Sequence, residues 1–157
     1  MKRHILFLCT GNSARSQMAE ALLRVIAPPG YESFSAGTHP VGLNPCAVEA
    51  MAELGVDITH HRCKHLSEFA DKQFDYVITV CDRAKESCPL PSGAGRVLHW
   101  SFEDPAPAPA SERLDVFRRV RDEIADAVCR FLIEDAKVPI TSLNCYCCDP
   151  RQNIPPG

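Results

Sequence analysis

Residues Ile5-Leu6-Phe7-Leu8-Cys9-Thr10-Gly11-Asn12-Ser13-Ala14-Arg15-Ser16 combine an apolar run, a turn cluster and the beginning of a periodic segment. The run from His4 to Leu8 predicts a buried strand, because a strand covered on both faces shows no alternation of apolar and polar residues. Apolar residues then recur at a spacing of four, at Met18, Leu22 and Ile26. This spacing predicts a helix that is capped by Ser13 and ended by the Pro-Pro-Gly at 28–30. The stretch is therefore a strand, a tight loop and a helix.

Cys9 and Arg15 stand at the two ends of the predicted loop, with five residues between them. Such a loop can wrap around a tetrahedral oxyanion, because its N–H groups point inward, the helix N-terminus adds positive potential and Arg15 can bind two oxygens. The same field is expected to lower the pKa of the Cys9 thiol and make it nucleophilic. The predicted oxyanion-binding residues are Thr10, Gly11, Asn12, Ser13, Ala14, Arg15 and Ser16. Chance spacing is the alternative, and the flanking strand and helix favour the site.

The remaining chain alternates further strand and helix patterns. Strands are predicted at Tyr31–Ala36, Tyr76–Val80 and Arg96–Trp100, and helices from Asn44 to Gly55 and from Arg113 to Glu134. This alternation predicts right-handed crossovers and a parallel sheet covered on both faces. We therefore predict a single α/β domain over residues 1–136. Residues 137–157, which are rich in Pro, Asn and Cys, are predicted to form a poorly ordered tail.

Composition and charge restrict the kind of protein. The chain has 157 residues and a formal net charge of −3, whereas a general nucleic-acid binder is normally basic. The apolar run Ile5–Cys9 is too short to span a bilayer and lacks the long apolar core of a signal peptide. We therefore expect a cytoplasmic protein without nucleic-acid or membrane partners. Nine cysteines are many for a reducing compartment, where they should be free thiols, metal ligands or catalytic groups.

Cys81 and Cys88 form a second sulfur-bearing motif. Cys81 directly follows the predicted strand Tyr76–Val80, so it should lie at the same sheet edge as Cys9, and six residues separate it from Cys88. If that segment is helical, the two Cα atoms lie about 10 Å apart, beyond the limit of about 7 Å for a disulfide. A bridge would then require the segment to unwind, which favours a redox switch over a structural disulfide. Two unrelated thiols are the alternative.

Several segments resemble the arsenate reductases of the low-molecular-weight tyrosine phosphatase superfamily. These segments are Ile5–Glu20, Ser35-Ala36-Gly37, Asn44-Pro45 and His99–Pro105. The resemblance covers nearly the whole chain up to the last predicted helix. It implies a four-stranded parallel sheet with helices on both faces, and it implies the reduction of arsenate to arsenite.

The resemblance also implies a role for each catalytic residue. Cys9 would attack arsenic, Cys81 would attack the adduct and release arsenite, and Cys88 would then form a disulfide with Cys81. Asp104 would be the general acid that protonates the leaving oxygen, although an Asp-Pro pair can also be a simple turn starter. No tightly bound cofactor is implied, and the electrons would come from a thiol reductant such as thioredoxin. Mycothiol- and glutaredoxin-linked enzymes also exist, so the reductant stays open.

Some relatives hold a potassium ion beside the catalytic loop through Asn, Glu, Ser and Asp side chains. Asn12, Glu20 and Ser35 match the first three, whereas Lys64 occupies the position of the Asp. We therefore expect the Lys64 ammonium to replace the ion and no metal to be bound. The plain alternative is that Lys64 points into solvent, as most lysines do.

Two other functions are compatible with parts of the sequence. A tyrosine phosphatase on the same fold would hydrolyse phosphate monoesters through phospho-Cys9. Such enzymes usually carry a second Cys where this chain has Ala14, and aromatic residues where it has Val41-Gly42-Leu43 and Ala106-Pro107-Ala108. A metal-binding module could use residues His60–His65 or the tail thiols of Cys145, Cys147 and Cys148. Neither cluster has the paired spacing of a structural zinc site.

Overall fold

The computed structural model describes residues 2–81, 90–91 and 93–144. These residues form a four-stranded sheet of β1 (Arg3–Cys9), β2 (Tyr31–Gly37), β3 (Phe74–Thr79) and β4 (Ala94–His99). All neighbouring strands are parallel, and their order is β2-β1-β3-β4. The same ranges form the α-helices α1 (Arg15–Ile26), α2 (Pro45–Ala52) and α3 (Arg113–Glu134), and 3-10 turns at Leu66–Phe69 and Ile140–Ser142. The predicted α/β class with a four-stranded parallel sheet is confirmed.

The strand order brings two of the predicted catalytic sulfurs to one place. From β1 the chain crosses to β2 on one side, and it later forms β3 on the other side. In open parallel sheets, ligands bind at the carboxyl ends of the strands beside such a switch point. Cys9 is the last residue of β1, and Cys81 lies two residues beyond the end of β3. The Val80 N–H donates to the Leu8 carbonyl at 2.9 Å, so the pairing of the two strands continues almost to the sulfurs.

Alternate residues of β1 face two different layers of the core. Ile5 and Phe7 belong to the cluster that contains the buried residues of α1, α2 and α3, whereas Leu6 and Leu8 pack with Leu66 of a 3-10 turn. The four strand residues are fully buried. Helical elements therefore cover both faces of the sheet, as predicted. Because both faces of β1 are covered, its sequence is a continuous apolar run and not an alternation of apolar and polar residues.

The prediction that Ser13 caps α1 is wrong. The helix begins at Arg15, after Ala14, and no side chain forms a capping hydrogen bond. Ser13 belongs to the preceding loop, where its carbonyl accepts a hydrogen bond from the Asn44 N–H at 3.0 Å. The uncapped first turn leaves N–H groups that can bind an anion. The predicted beginning of α2 is confirmed, since the Asn44 side chain caps that helix.

The chain turns back onto the domain after α3. Val138 is buried, and its N–H donates to the Leu132 carbonyl at 2.7 Å. The Asn144 N–H donates to the Ile26 carbonyl at the end of α1, at 2.9 Å. The segment predicted as a tail therefore begins with residues 137–144 that pack against the domain. The remaining predicted tail, including Cys145, Cys147 and Cys148, lies outside the described residues.

Charged side chains join α2 to α3. Arg121 is 8% exposed, and its Nη1 donates to the Ala50 carbonyl at 2.8 Å and to Glu53 Oε1 at 2.9 Å. Hydrogen bonds from Arg118 and then from Arg121 lower the pKa of Glu53 to about 2. These bonds matter for the site because α2 directly follows the loop of residues 38–44, which contacts the predicted oxyanion loop.

Replacing Arg121 with Met should lower the free energy of unfolding by about 1–3 kcal/mol, because the buried Ala50 carbonyl loses its charged donor. Arg118→Met removes a more exposed side chain and should destabilise the protein less than Arg121→Met does. The pKa of Glu53 lies below its ordinary 4.5 in the folded state, so its stabilising effect is present above pH 4.5 and is lost as the pH falls towards 2. Urea unfolding at neutral and acidic pH measures both effects. Equal losses in the two variants at neutral pH would contradict the special role of Arg121.

Candidate active site

Three carbonyl oxygens of the loop of residues 9–16 point away from the centre of the loop. Backbone N–H groups of the segment 38–44 bind them there, outside the loop. The bonds are His39 N to Thr10 O at 2.9 Å, Val41 N to Gly11 O at 3.1 Å and Asn44 N to Ser13 O at 3.0 Å. A trans peptide places each carbonyl and the following N–H on opposite sides, and the described chain has no cis peptide bond. The N–H groups that follow these carbonyls therefore point into the loop, which is the arrangement that binds an oxyanion.

Glycine at position 37 allows β2 to lie directly beside this loop. A Cβ on Gly37 would come within 2.5 Å of the Thr10 carbonyl oxygen and within 2.9 Å of the Asn12 nitrogen. Both atoms belong to the backbone, so any other residue would force the loop to shift. This close approach is the physical reason for glycine at the end of the Ser35-Ala36-Gly37 segment, which the sequence indicated only through a resemblance.

Asn12 holds the loop in its curved shape. Its φ of 47° lies in the left-handed region, which Asn tolerates better than most residues, and the residue is fully buried. The Asn12 amide donates to Ser16 Oγ at 2.9 Å, and its Oδ1 accepts from the Lys64 N–H at 2.8 Å. The Asn12 carbonyl accepts from the Cys63 thiol at 2.9 Å and from Gln17 Nε2 at 3.1 Å. The segment around Cys63, which the sequence offered only as a possible metal-binding segment, therefore supports the site.

A chain of hydrogen bonds runs outward from Asn12. Gln17 Nε2 also donates to Asn12 Oδ1 at 3.0 Å, and Gln17 Oε1 lies 2.9 Å from His61 Nδ1. Arg24 Nη1 lies 3.0 Å from the other ring nitrogen of His61, Nε2. Because arginine can only donate, Nε2 accepts and Nδ1 carries the proton. Burial, and then the charge of Arg24, lower the pKa of His61 to about 4, so the ring is neutral at neutral pH. Three residues of this network were not predicted from the sequence to support the site: Gln17, His61 and Arg24.

The thiols of Cys9 and Cys81 are in contact. Both residues are buried, their side chains are hydrogen-bonded to each other, and Thr10 Oγ1 lies 3.6 Å from the Cys81 sulfur. The hydrogen bond to Cys81 and burial raise the pKa of Cys9 and outweigh the opposite effects of Arg15 and the Thr10 N–H. The predicted lowering of this pKa is therefore wrong for this arrangement. The reason is that the neighbouring thiol and the loss of water both favour the protonated form.

Removing Cys81 should make Cys9 ionise at lower pH. In Cys81→Ala the hydrogen-bonded thiol is lost while Arg15 and the Thr10 N–H remain, so the pKa of Cys9 should fall. The rate of Cys9 alkylation by iodoacetamide, followed against pH by peptide mapping, should shift its midpoint to lower pH. Cys46→Ala, which removes a half-buried free thiol on α2, is the matched control. An unchanged midpoint in Cys81→Ala would show that Cys81 does not control the ionisation.

Arg15 connects the loop to the segment that carries Asp104. Its Nη1 donates to the Phe102 carbonyl at 3.1 Å, and its Nη2 lies 3.8 Å from Asp104 Oδ2. The Asp104 side chain is 51% exposed, so it is accessible from solvent. A carboxyl group beside the arginine of the loop is well placed to protonate an oxygen that leaves from the loop.

These groups meet in one cavity of about 690 Å³. Its lining includes the predicted catalytic residues Cys9, Arg15, Cys81 and Asp104, and the loop residues Thr10, Gly11, Ser13 and Ala14. Asn12 and Ser16, which were also predicted to contact the oxyanion, are fully buried beneath the loop. The remaining predicted catalytic residue, Cys88, lies outside the described residues.

The Lys64 side chain lies beside the buried Glu20 side chain of α1. Its Nζ is 3.8 Å from Glu20 Oε1 and donates to the Arg62 carbonyl at 2.9 Å, and its side chain is only 13% exposed. Ser35 Oγ donates to the same Glu20 oxygen at 3.3 Å. Burial raises the pKa of Glu20, and the charge of Lys64 is the largest effect in the opposite direction. The ammonium therefore stabilises a buried carboxylate close to Asn12.

Residues His60–His65 and the tail thiols carry side chains of the kind that bind metal ions. In the described ranges, no group of three or more His, Cys, Asp and Glu side chains is placed to hold a metal ion. In the first segment His61, Cys63 and Lys64 instead bind residues that support the loop. The tail thiols lie outside the described residues.

The fold and the site define the class of this protein. The chain belongs to the Low molecular weight phosphotyrosine protein phosphatase family, which it matches over residues 4–140. Within that class it is similar to arsenate reductases. It is 43% identical over 130 residues to the arsenate reductase of Staphylococcus aureus (strain N315), and the match covers 83% of this chain and 96% of that protein. The resemblance inferred from the sequence is confirmed.

Solved structures agree with this assignment. A structure of an arsenate reductase in the phosphate binding state is 28% identical, has a TM-score of 0.69 and is matched over 87% of this chain and 99% of that chain. A thioredoxin-dependent arsenate reductase of Corynebacterium glutamicum is 30% identical, has a TM-score of 0.59 and is matched over 81% of this chain and 62% of that chain.

Proposed function

We propose that this chain reduces arsenate to arsenite. The observation that carries the proposal is the contact between the Cys9 and Cys81 thiols in the cavity of the oxyanion loop. Hydrolysis of a phosphate ester requires one nucleophilic thiol, whereas reduction of arsenic requires two electrons. Two adjacent thiols supply two electrons when they form a disulfide. The similarity to named arsenate reductases supports the same conclusion.

The reaction would begin with arsenate bound by the loop N–H groups and Arg15. Cys9 gives its proton to an oxygen of the bound arsenate and attacks arsenic as the thiolate, and Asp104 protonates the leaving oxygen, which departs as water. The Cys81 thiolate then attacks the Cys9 sulfur, and the S–As bond breaks with its electron pair remaining on arsenic. Arsenic(V) thereby becomes arsenic(III), arsenite leaves, and the two thiols become a Cys9–Cys81 disulfide.

Cys88 would complete the cycle. It attacks Cys81, frees Cys9 as a thiolate and leaves a Cys81–Cys88 disulfide for an external thiol reductant. We propose thioredoxin as this reductant, and the similarity to a thioredoxin-dependent arsenate reductase supports that choice. The electrons arrive by thiol exchange, so the proposed mechanism uses no tightly bound cofactor. The catalytic residues all fall within the proposed domain of residues 1–136.

The proposed partners and compartment follow from this chemistry. The exchange requires free thiols, which a reducing cytoplasm maintains. No helix in the described ranges is long and apolar enough to cross a membrane. The ligand would be an arsenate or phosphate oxyanion, and a net charge of −3 does not favour nucleic acid as a partner.

The test is arsenate-dependent oxidation of NADPH in the presence of thioredoxin and thioredoxin reductase, compared directly with hydrolysis of p-nitrophenyl phosphate. Sustained arsenate turnover with little phosphatase activity is the expected result. The proposal would be overturned if the chain hydrolysed p-nitrophenyl phosphate efficiently but reduced no arsenate with thioredoxin, with glutaredoxin or with mycothiol.

A tyrosine phosphatase is the second candidate, because the position of Asp104 beside Arg15 serves ester hydrolysis as well as arsenate reduction. Both enzymes need the oxyanion loop and the acid, so residual hydrolysis of aryl phosphates is expected. Val41 lines the cavity and is 74% exposed, at a position where the phosphatases that this chain resembles carry aromatic residues near the phenol ring. The small side chain therefore favours a free oxyanion over an aryl ester.

Lys64 is proposed to replace a potassium ion, and its 3.8 Å distance from Glu20 supports this proposal. Activity and melting temperature should then depend little on potassium versus sodium at equal ionic strength. Lys64→Asp should create potassium dependence, because the permanent positive charge beside Glu20 would be lost. Lys72→Asp, which changes a lysine that lies over the Phe34 ring, is the matched control. A potassium-specific rise in the melting temperature of the unmutated protein would refute the replacement and leave the reductase proposal unchanged.

A further inference from the structure

The Cys9 and Cys81 side chains together offer two sulfur ligands to one atom. The two thiols are hydrogen-bonded to each other and both line the cavity of about 690 Å³. Their backbones are held by the strand pairing that ends with the Val80 N–H to Leu8 carbonyl bond at 2.9 Å. The Thr10 hydroxyl, 3.6 Å from the Cys81 sulfur, holds that side chain toward the loop. Two thiols fixed side by side need little reorganisation to bind a common atom.

We propose that the reduced Cys9–Cys81 pair is a binding site for trivalent arsenic. The binding itself rests on the arrangement of the two thiols. Its biological meaning, which is inhibition of the enzyme by its own product, rests on the proposed function.

The binding reaction is an exchange of ligands on arsenic. Soft sulfur ligands suit soft, polarisable centres, and trivalent arsenic is one of them. Arsenous acid, As(OH)₃, exchanges two hydroxyl groups for the two sulfurs: two As–O and two S–H bonds break, two As–S bonds form, and two water molecules leave. The oxidation state of arsenic is unchanged, so no reductant takes part. The remaining hydroxyl oxygen can accept hydrogen bonds from the loop N–H groups.

This bound state differs from every intermediate of the proposed turnover. During turnover arsenite leaves a Cys9–Cys81 disulfide, which has no thiol to bind it. Binding therefore requires the reduced enzyme, in which arsenite and arsenate compete for Cys9. Inhibition by arsenite should accordingly be competitive with arsenate, and inorganic phosphate in the loop should weaken it.

The experiment measures arsenite binding to the reduced full chain in the absence of arsenate, with a phosphine as the reducing agent. Sodium arsenite should protect Cys9 and Cys81 from iodoacetamide in peptide mapping, and calorimetry should give one site per chain. Cys81→Ser should weaken binding about 100-fold, as expected when the second contact of a bidentate ligand is lost. Cys46→Ser removes a free thiol on α2 and should leave binding unchanged.

Two results would overturn the proposal. One is an arsenite affinity in Cys81→Ser equal to that of the unmutated protein. The other is protection confined to the tail cysteines Cys145, Cys147 and Cys148. Phosphate binding to the loop shows that each variant is folded, and Cys81→Ala replaces the serine variant if the latter fails this check. A chain that binds arsenite at Cys9 and Cys81 but reduces no arsenate would refute the proposed function alone. A chain that reduces arsenate but does not bind arsenite at these two thiols would refute the arsenite site alone.

Discussion

Cys9→Ser should lower both arsenate reduction and p-nitrophenyl phosphate hydrolysis by at least about four orders of magnitude, as is usual when a nucleophile is removed. In the proposed mechanism both reactions begin with attack by the same sulfur, in the cavity that Cys9 shares with Arg15 and Asp104. A serine hydroxyl occupies a similar volume but ionises far less readily than a thiol. The measurement is initial rates of both reactions at saturating thioredoxin and oxyanion, where the unmutated chain and Cys46→Ser should be equally active.

Cys9→Ser should lose both reactions but keep the ability to bind an oxyanion. The loop N–H groups are fixed by carbonyl contacts to residues 38–44, and none of these contacts involves the Cys9 side chain. Inorganic phosphate should therefore still bind Cys9→Ser, as measured by calorimetry. Retention of either activity in the folded, phosphate-binding variant would contradict the assignment of Cys9. Loss of phosphate binding would instead mean that the sulfur also holds the loop together.

The parts of the fold that could be predicted are those encoded by neighbouring residues. The continuous apolar run of β1 and the spacing of Met18, Leu22 and Ile26 predict a strand and a helix with an anion-binding turn between them. The structure has these elements in that order, at Arg3–Cys9 and Arg15–Ile26. Ser13 was misassigned because a hydroxyl residue before a helix has the same local pattern whether it caps that helix or belongs to a loop bound by another segment.

The supporting residues of the site could not be predicted because they depend on contacts between distant segments. His61 binds Gln17 across 44 positions of sequence, and Cys63 binds the Asn12 carbonyl across 51. The one available signal was on α1, where Gln17 and Glu20 are polar residues among buried apolar ones. A buried polar side chain must find a partner, so these two positions indicated a network without identifying its other members.

The direction of the Cys9 pKa shift could not be predicted from the sequence for the same reason. The loop contributes a positive field that can be inferred from Arg15 and the helix N-terminus alone. The opposing effects come from burial and from the Cys81 thiol, 72 positions away. Their balance depends on how closely the ends of β1 and β3 approach, which the sequence pattern does not define. A sequence motif therefore predicted a nucleophile at Cys9 but gave the wrong direction for its pKa.

Cys88→Ser should reduce sustained arsenate turnover to a single arsenite per enzyme. In the proposed cycle the first two steps need only Cys9 and Cys81, which meet in the cavity. The variant should therefore complete one reduction and then stop with Cys9 bonded to Cys81, because the exchange that transfers the disulfide outward is missing. Quenched-flow measurement of arsenite gives the burst, and trapping of free thiols with peptide mapping identifies the stalled disulfide.

The size of the burst distinguishes the catalytic role of Cys88 from a structural one. A variant that merely folds poorly would release less than one arsenite per enzyme and would bind phosphate weakly. A variant that lacks only the exchange thiol should bind phosphate normally and hydrolyse p-nitrophenyl phosphate at the unmutated rate, because that reaction needs no disulfide. Cys81→Ser should still hydrolyse p-nitrophenyl phosphate but give no burst, since its arseno-adduct cannot be resolved by the adjacent thiol. Multiple turnovers of Cys88→Ser with thioredoxin would show that the Cys9–Cys81 disulfide is reduced directly, and the proposed relay through Cys88 would then be wrong.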